Sequence, residues 1–227
     1  GIFGIMVLYF KSNQVATGLG LTLVGLGLSA LIGEFLGSQK TELLEPVYFP
    51  VLSDLRLIGP MFFNHDVIVY FSILLTFVLY IFLKFSRAGM ILRAVGENHD
   101  AAHALGYNVQ IVRMLAIMFG GACSGLGGAY ISLVRVPQWT DGLTAGTGWI
   151  ALAIVVFANW NVSKVIIGAY LFGGITVLQL NLQAAGVKIP VEVLSMSPYL
   201  VTIFVLVFIS VNGKNSSPGS LGKTFHI

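Results

Sequence analysis

Charge is scarce in this sequence. Of 227 residues, 9% are charged, against about 25% in an ordinary soluble domain. A soluble fold of this size needs more polar surface than that to stay dissolved. Disorder is excluded as well, because disordered chains are poor in apolar residues. Cysteine is nearly absent: Cys123 stands alone in an apolar run, which leaves no disulfide framework and no cysteine metal site. Twelve basic and nine acidic residues give a weak, scattered positive balance that does not suggest nucleic-acid binding. The chain also lacks a phosphate-binding GxxxxGK[ST] loop.

What is present is apolar bulk and glycine. Hydrophobic residues make up 56%, and 27 glycines are about 12%, above the roughly 7% average. That combination fits close-packed transmembrane helices. A bilayer span needs about 20 mostly apolar residues. Candidate stretches are Gly1–Phe10, Val15–Gly37, Val67–Leu83, Met114–Val134, Thr147–Ala158, Val165–Leu182 and Leu194–Val211. The expected fold is all-α, a polytopic transmembrane helix bundle of about seven membrane segments. Thr147–Ala158 is the short one, either buried among other helices or re-entrant. Gly1–Phe10 is short, does not begin with Met and lacks the basic n-region and cleavage motif of a signal peptide. It reads as the second part of a span whose start lies upstream, so the expectation is a chain without its N-terminal spans.

The basic residues orient the bundle. With alternating loops, Lys11, Lys84, Arg87, Arg93, Arg113, Lys164, Lys214 and Lys223 fall on one side. Lys40, Arg56, Arg135 and Lys188 fall on the other. The richer side is expected to be cytoplasmic. Acids lean the opposite way: Glu42, Glu45, Asp54, Asp66, Asp141 and Glu192 lie outside, Glu97 and Asp100 inside. The membrane domain is expected over 1–212, with a cytoplasmic loop at 86–113, and a polar, extended cytoplasmic tail over 213–227.

Small residues recur at four-residue spacing. Gly120, Ser124 and Gly128 form one stripe, and Gly25, Ser29 and Gly33 another. Such faces let a second backbone approach closely. They fit a moving helix interface, though ordinary close packing is the commoner reason for such a stripe.

The loop at 86–113 contains a short helix signal. Asn98 can cap a helix start and Asp100 favours its first turn. Ala101, Ala102, Ala104 and Leu105 are strong helix formers, and Gly106 suits the position that ends the helix. A helix of about two turns outside the bilayer suits docking to a partner. It suits equally a linker lying on lipid headgroups, which Arg87 and Arg93 would favour.

The segment Arg93-Ala94-Val95-Gly96-Glu97-Asn98, with Asp100-Ala101-Ala102 and Ala104-Leu105-Gly106, resembles the coupling loop of bacterial ABC importer permeases. The group is the one serving branched-chain amino acids, simple sugars and nucleosides. Further likenesses follow in order: Ser124-Gly125-Leu126-Gly127-Gly128-Ala129, then Gly142–Ala153, then Ser197-Pro198-Tyr199-Leu200-Val201-Thr202, then Ser217–Lys223. The last three are similar to the simple-sugar and nucleoside branch. The chain departs from the family pattern at His99, where Pro is frequent, at Thr147, where a basic residue is frequent, and over Asn159–Val162.

The resemblance implies a second permease subunit, a cytoplasmic ABC ATPase carrying ATP and Mg²⁺, and an extracytoplasmic solute-binding protein. It also implies a small polar solute, a nucleoside or simple sugar, crossing the lipid bilayer of the cytoplasmic membrane. The permease itself is expected to be non-catalytic and to bind no cofactor, metal or nucleic acid. Arg93, Gly96, Glu97, Asn98, Asp100, Ala101, Ala102 and Gly106 are the expected ATPase-coupling residues. Ala102→Arg is expected to uncouple transport without preventing membrane insertion. Trp149, Gln179, Asn181 and Asn159 are candidates for the solute pathway, because polar groups at membrane depth are costly, though interfacial anchoring or helix–helix hydrogen bonding is the commoner explanation. His99 and His103 have a four-residue spacing that could hold a metal. Without further ligands they read as a solvated face. A secondary transporter would usually carry an intramembrane carboxylate, and no acid lies centrally in a predicted span. An intramembrane enzyme would need a catalytic constellation at membrane depth, and all four histidines lie in loops or the tail. A structural membrane subunit stays open.

Overall fold

The structure is a computed structural model of the chain. It describes residues 1–36, 45–48, 50, 63, 65–136, 139–140, 142–144, 146–186, 190, 193, 196–211 and 217–225. The outer-side expectations for Lys40, Arg56, Lys188, Glu42, Asp54, Asp141 and Glu192, and the inner-side one for Lys214, lie outside those residues.

The described residues contain helices and no strands. In chain order they are α1 (Ile2–Leu8), α2 (Gln14–Leu36), α3 (Val67–Phe85), α4 (Arg87–Glu97), α5 (His99–Ala104), α6 (Val109–Tyr130), α7 (Thr147–Phe157), α8 (Val162–Ala184) and α9 (Ser197–Val211). A π-helical turn, Ile131–Arg135, extends α6. Among the described residues, four helices are long and apolar enough to cross a membrane: Gln14–Phe35, Val67–Phe85, Val109–Val134 and Val162–Ala184. The short apolar helix expected near residue 150 is present as α7. Its 11 residues span about 16 Å at 1.5 Å per residue, well below a bilayer core.

Polar side chains start several of these helices. Asn13 Oδ1 accepts hydrogen bonds from the backbone N–H groups of Val15 and Ala16 at 3.0 Å each. Asn108 caps α6 through Ile111 N at 3.1 Å, and Asn161 caps α8 through Ser163 N at 3.1 Å. Each cap satisfies amides that a helix cannot pair internally. Because Asn108 is the start signal, α6 begins five residues before the apolar run that starts at Met114.

Packing divides the helices into two groups. α1 lies against α2 and α6; α3, α7, α8 and α9 pack among themselves. Gly168 lets α8 approach Phe157 and Ile154 of α7, and Phe157 meets Phe172 edge-on with centroids 6.4 Å apart. α4 touches both α3 and α6, and α5 also touches α6. The α4–α5 pair therefore joins the two groups. Most large apolar side chains of the spans are exposed in the single chain, a surface that lipid or a second subunit can cover without penalty.

The small-residue stripes divide in the same way. A methyl built on Gly120, Gly125 or Gly128 meets no described neighbour, and neither does one on Gly25. That α6 face is open rather than packed within the described chain. Gly33, by contrast, lies under the Trp139 indole, whose Nε1–H donates to Ser29 Oγ at 3.3 Å.

Candidate functional site

The loop between α3 and α6 is more ordered than its composition suggested. α4 was missed in the sequence because Gly89 and Gly96 interrupt an otherwise amphipathic run. Gly89 is required by contact: a Cβ there would collide with the carbonyl of Phe82 as α4 turns back on α3. Ser86 Oγ accepts from Gly89 N at 2.9 Å and starts α4. Ile91 and Val95, four residues apart, then face the start of α6.

Asn98 breaks the helix and starts the next. Its backbone is extended, and its Oδ1 accepts from Asp100 N at 3.1 Å and Ala101 N at 3.0 Å. α5 ends as the sequence predicts. Gly106 adopts φ +87°, Gly106 N donates to His103 O at 2.8 Å, and Tyr107 N donates to Ala102 O at 3.2 Å. That pair of bonds is the Schellman closure, which requires the left-handed glycine.

A small core holds the hairpin: Val95, Ala102, Val109 and Phe225, with Ile91 and Val112 at its edge. Ala102 is 2% exposed, so it supports the hairpin from within rather than from its surface. Its small side chain lets α5 lie against Val95 and Val109. The exposed residues of α5 and its end are Asp100, Ala101, His103, Ala104 and Leu105. Leu105 is 75% exposed, an apolar side chain presented at the C-terminal end of α5.

The tail differs from its expected extended state. Residues 217–225 fold back on the hairpin. Ser220 N donates to Gly96 O at 2.9 Å, and His99 N donates to Ser220 Oγ at 3.1 Å. Arg113 donates to Ser220 O and Lys223 O, each at 3.1 Å. Phe225 sits edge-on to two imidazoles, 5.4 Å from His99 and 5.2 Å from His103. His99 is therefore buried, not on a solvated face. Burial first, then the Arg113 and Lys223 charges, hold its pKa below the ordinary imidazole value, while Asp100 opposes them. A guanidinium only donates, so Arg113, 3.4 Å from His99 Nδ1, favours the neutral tautomer with its proton on Nε2. That nitrogen faces Asp100 Oδ1 at 3.5 Å. No group of three or more His, Cys, Asp and Glu among the described residues could hold a metal.

A cleft borders the hairpin. Lys84 and Tyr80 of α3, Arg93, Gly96 and Glu97 of α4, the Asn159–Lys164 turn, and Ser217 and Pro218 line it. The coupling candidates and the basic residues Lys84, Arg93 and Lys164 thus share one end of the spans. Asn159 belongs to that end, with φ +51°. Gln179 and Asn181 lie near the other end of α8, about 30 Å away along the helix axis. Asn181 donates to Val177 O at 3.0 Å, on its own helix. Trp149, 69% exposed, lies in the first turn of α7, away from Asn159. The four solute-pathway candidates are therefore not brought together. Sequence reasoning missed Arg113, Ser220 and Phe225, whose partners are more than 100 residues away and carry no local signal.

Residues 1–209 match the family model described as the branched-chain amino acid transport system permease component. An ABC transporter permease protein of Haloferax volcanii, provisionally assigned to glucose, is 36% identical over 90% of this chain and 69% of its own length. A nucleoside ABC transporter permease protein of Lactococcus lactis subsp. cremoris is 30% identical over 99% of this chain and 72% of its own. A guanosine ABC transporter permease protein of Bacillus subtilis is 31% identical over 87% and 64%. No solved structure matches the chain. With an all-helical architecture, four membrane-length helices and this likeness, the chain belongs to the branched-chain amino acid transport system permease-component family, as a membrane-spanning permease subunit of an ABC importer.

Proposed function

We propose that this permease subunit carries a nucleoside or simple sugar across the bacterial cytoplasmic membrane, driven by ATP and Mg²⁺ on a separate ATPase. The observation that carries the reading is the α4–α5 hairpin. It touches both helix groups and presents Ala101, Ala104 and Leu105 outward. An ATPase seated on that surface would pull on both groups at once, the requirement for a rigid-body switch between two packed states. The membrane domain would take residues 1–212, with about seven crossings, and the hairpin end, which holds Lys84, Arg93 and Lys164, would face the cytoplasm with the C-terminal tail. A second permease subunit would cover the open α6 face of Gly120, Ser124 and Gly128. A solute-binding protein would deliver the solute at the opposite end, nearer Trp149, Gln179 and Asn181 than Asn159.

Arg93, Gly96, Glu97, Asn98, Asp100, Ala101 and Gly106 would form or shape the docking element, with Ala102 acting from beneath. The test is uptake of labelled guanosine and labelled glucose by vesicles holding the whole complex. Ala101→Arg and Leu105→Arg should abolish ATP-driven uptake with normal amounts of permease in the membrane. Undiminished uptake in both would overturn the docking assignment. No uptake of either solute by the unaltered complex would overturn the solute class.

A further inference from the structure

The C-terminal segment 217–225 has no part in the coupling mechanism described so far, yet it makes several long-range hydrogen bonds. Its position follows a simple necessity. The α4–α5 break at Asn98 leaves the Gly96 carbonyl at the end of one helix and the His99 amide at the start of the next. Neither has a partner within its own helix. Ser220 serves both: its N–H donates to Gly96 O at 2.9 Å and its hydroxyl accepts from His99 N at 3.1 Å. One residue therefore bridges the break, and Ser220 and His99 are both buried there. The approach is close. A Cβ on Gly219 would lie 2.6 Å from the Glu97 carbonyl oxygen, so only glycine lets the segment pass.

The segment then reaches α6. Arg113 binds the carbonyls of Ser220 and Lys223, and Phe225, 7% exposed, closes the core of Val95, Ala102 and Val109. In the chain, this segment follows α9, which packs on α7 and α8. It thus ties a helix of one packing group to α5 and α6, the latter in the other group.

We propose that Ser220, Phe225 and Arg113 are positioning residues of the coupling element: the C-terminal segment clasps the α4–α5 break, so that the hairpin transmits force as one rigid body. The inference rests on the transport reading above. Without the clasp, the break at Asn98 becomes a hinge, and motion imposed on α5 is absorbed there instead of reaching the spans.

The experiment compares ATP hydrolysis with uptake in vesicles holding the complete complex, using labelled guanosine and labelled glucose. Gly219→Ala, Phe225→Asp and a chain ending at residue 216 should each lower solute taken up per ATP hydrolysed by about tenfold, the scale of one or two buried hydrogen bonds. Phe225→Leu, which keeps the apolar contact, should retain most of the ratio. A purely structural tail would instead lower the amount of complex in the membrane, with uptake and hydrolysis falling together. That result, or an unaltered ratio in all three variants, overturns the clasp. A normal ratio here, combined with lost uptake in Leu105→Arg, would sink the clasp alone. No uptake by the unaltered complex would remove the transport reading beneath it.

Discussion

Arg113 Nη1 donates to the carbonyl oxygen of Lys223 at 3.1 Å, joining residues 110 positions apart. Its other terminal nitrogen donates to Ser220 O at 3.1 Å and lies 3.4 Å from His99 Nδ1. One side chain at the start of α6 thus gathers the tail and the coupling helix. A planar guanidinium can do so because its donors diverge at fixed angles, which a lysine ammonium cannot reproduce.

Arg113→Ala should release the tail. The partly buried charge-assisted bond to Ser220 is worth about 1.5–3 kcal/mol. Tryptic cleavage at Lys223 in the folded protein should therefore accelerate, and Arg113→Lys should restore only part of the protection. Equal cleavage rates in all three proteins would show that Arg113 does not hold the segment.

Acidification should loosen the same contact. His99 has a lowered pKa in the folded state, so the unfolded or released form binds protons more readily. Stability is then complete above about 6.5, the ordinary imidazole value, and is lost as pH falls from there toward the lowered value. Arg113, Lys223 and Asp100 are the charges that act on His99, and a protonated ring would also lose its acceptor for Arg113. Tail protection measured by hydrogen exchange, corrected for the intrinsic rate, should drop as pH falls below about 6.5. His99→Gln should flatten that dependence. A slope that survives His99→Gln would assign the titration elsewhere.

Asn98→Ala removes the acceptor of two amides, Asp100 N and Ala101 N. Loss of such a cap costs about 0.5–2 kcal/mol. Exchange at those two amides should speed up by roughly tenfold, with α3 and α6 unaffected. Asn98→Asp should keep the cap, since it retains an acceptor at the same reach.

Gly33→Ala should displace Trp139, because the added methyl would occupy the indole's place. Overpacking of this kind costs about 1–3 kcal/mol. In a protein with Trp149 and Trp160 replaced by Phe, the Trp139 emission should shift. An unshifted spectrum would mean that α2 and the 139–140 segment do not meet there.

Much of this protein follows from local sequence. Scarce charge and long apolar runs placed the spans, because water-free surroundings demand helices with internally paired backbones. The α5 helix was legible from Asn98 to Gly106, since capping and left-handed closure depend on residues within a few positions. The motif along 93–106 pointed to the family. α4 was obscured by glycines, and Gly89 proves necessary because α3 lies against it, a reason invisible locally. Ala102 read as a coupling residue and His99 as part of a solvated face, because burial depends on what folds over them. Tertiary structure alone decided that Phe225, Ser220 and Arg113 cover both. Those contacts span more than 100 residues, and no periodicity or capping rule encodes a pairing at that distance.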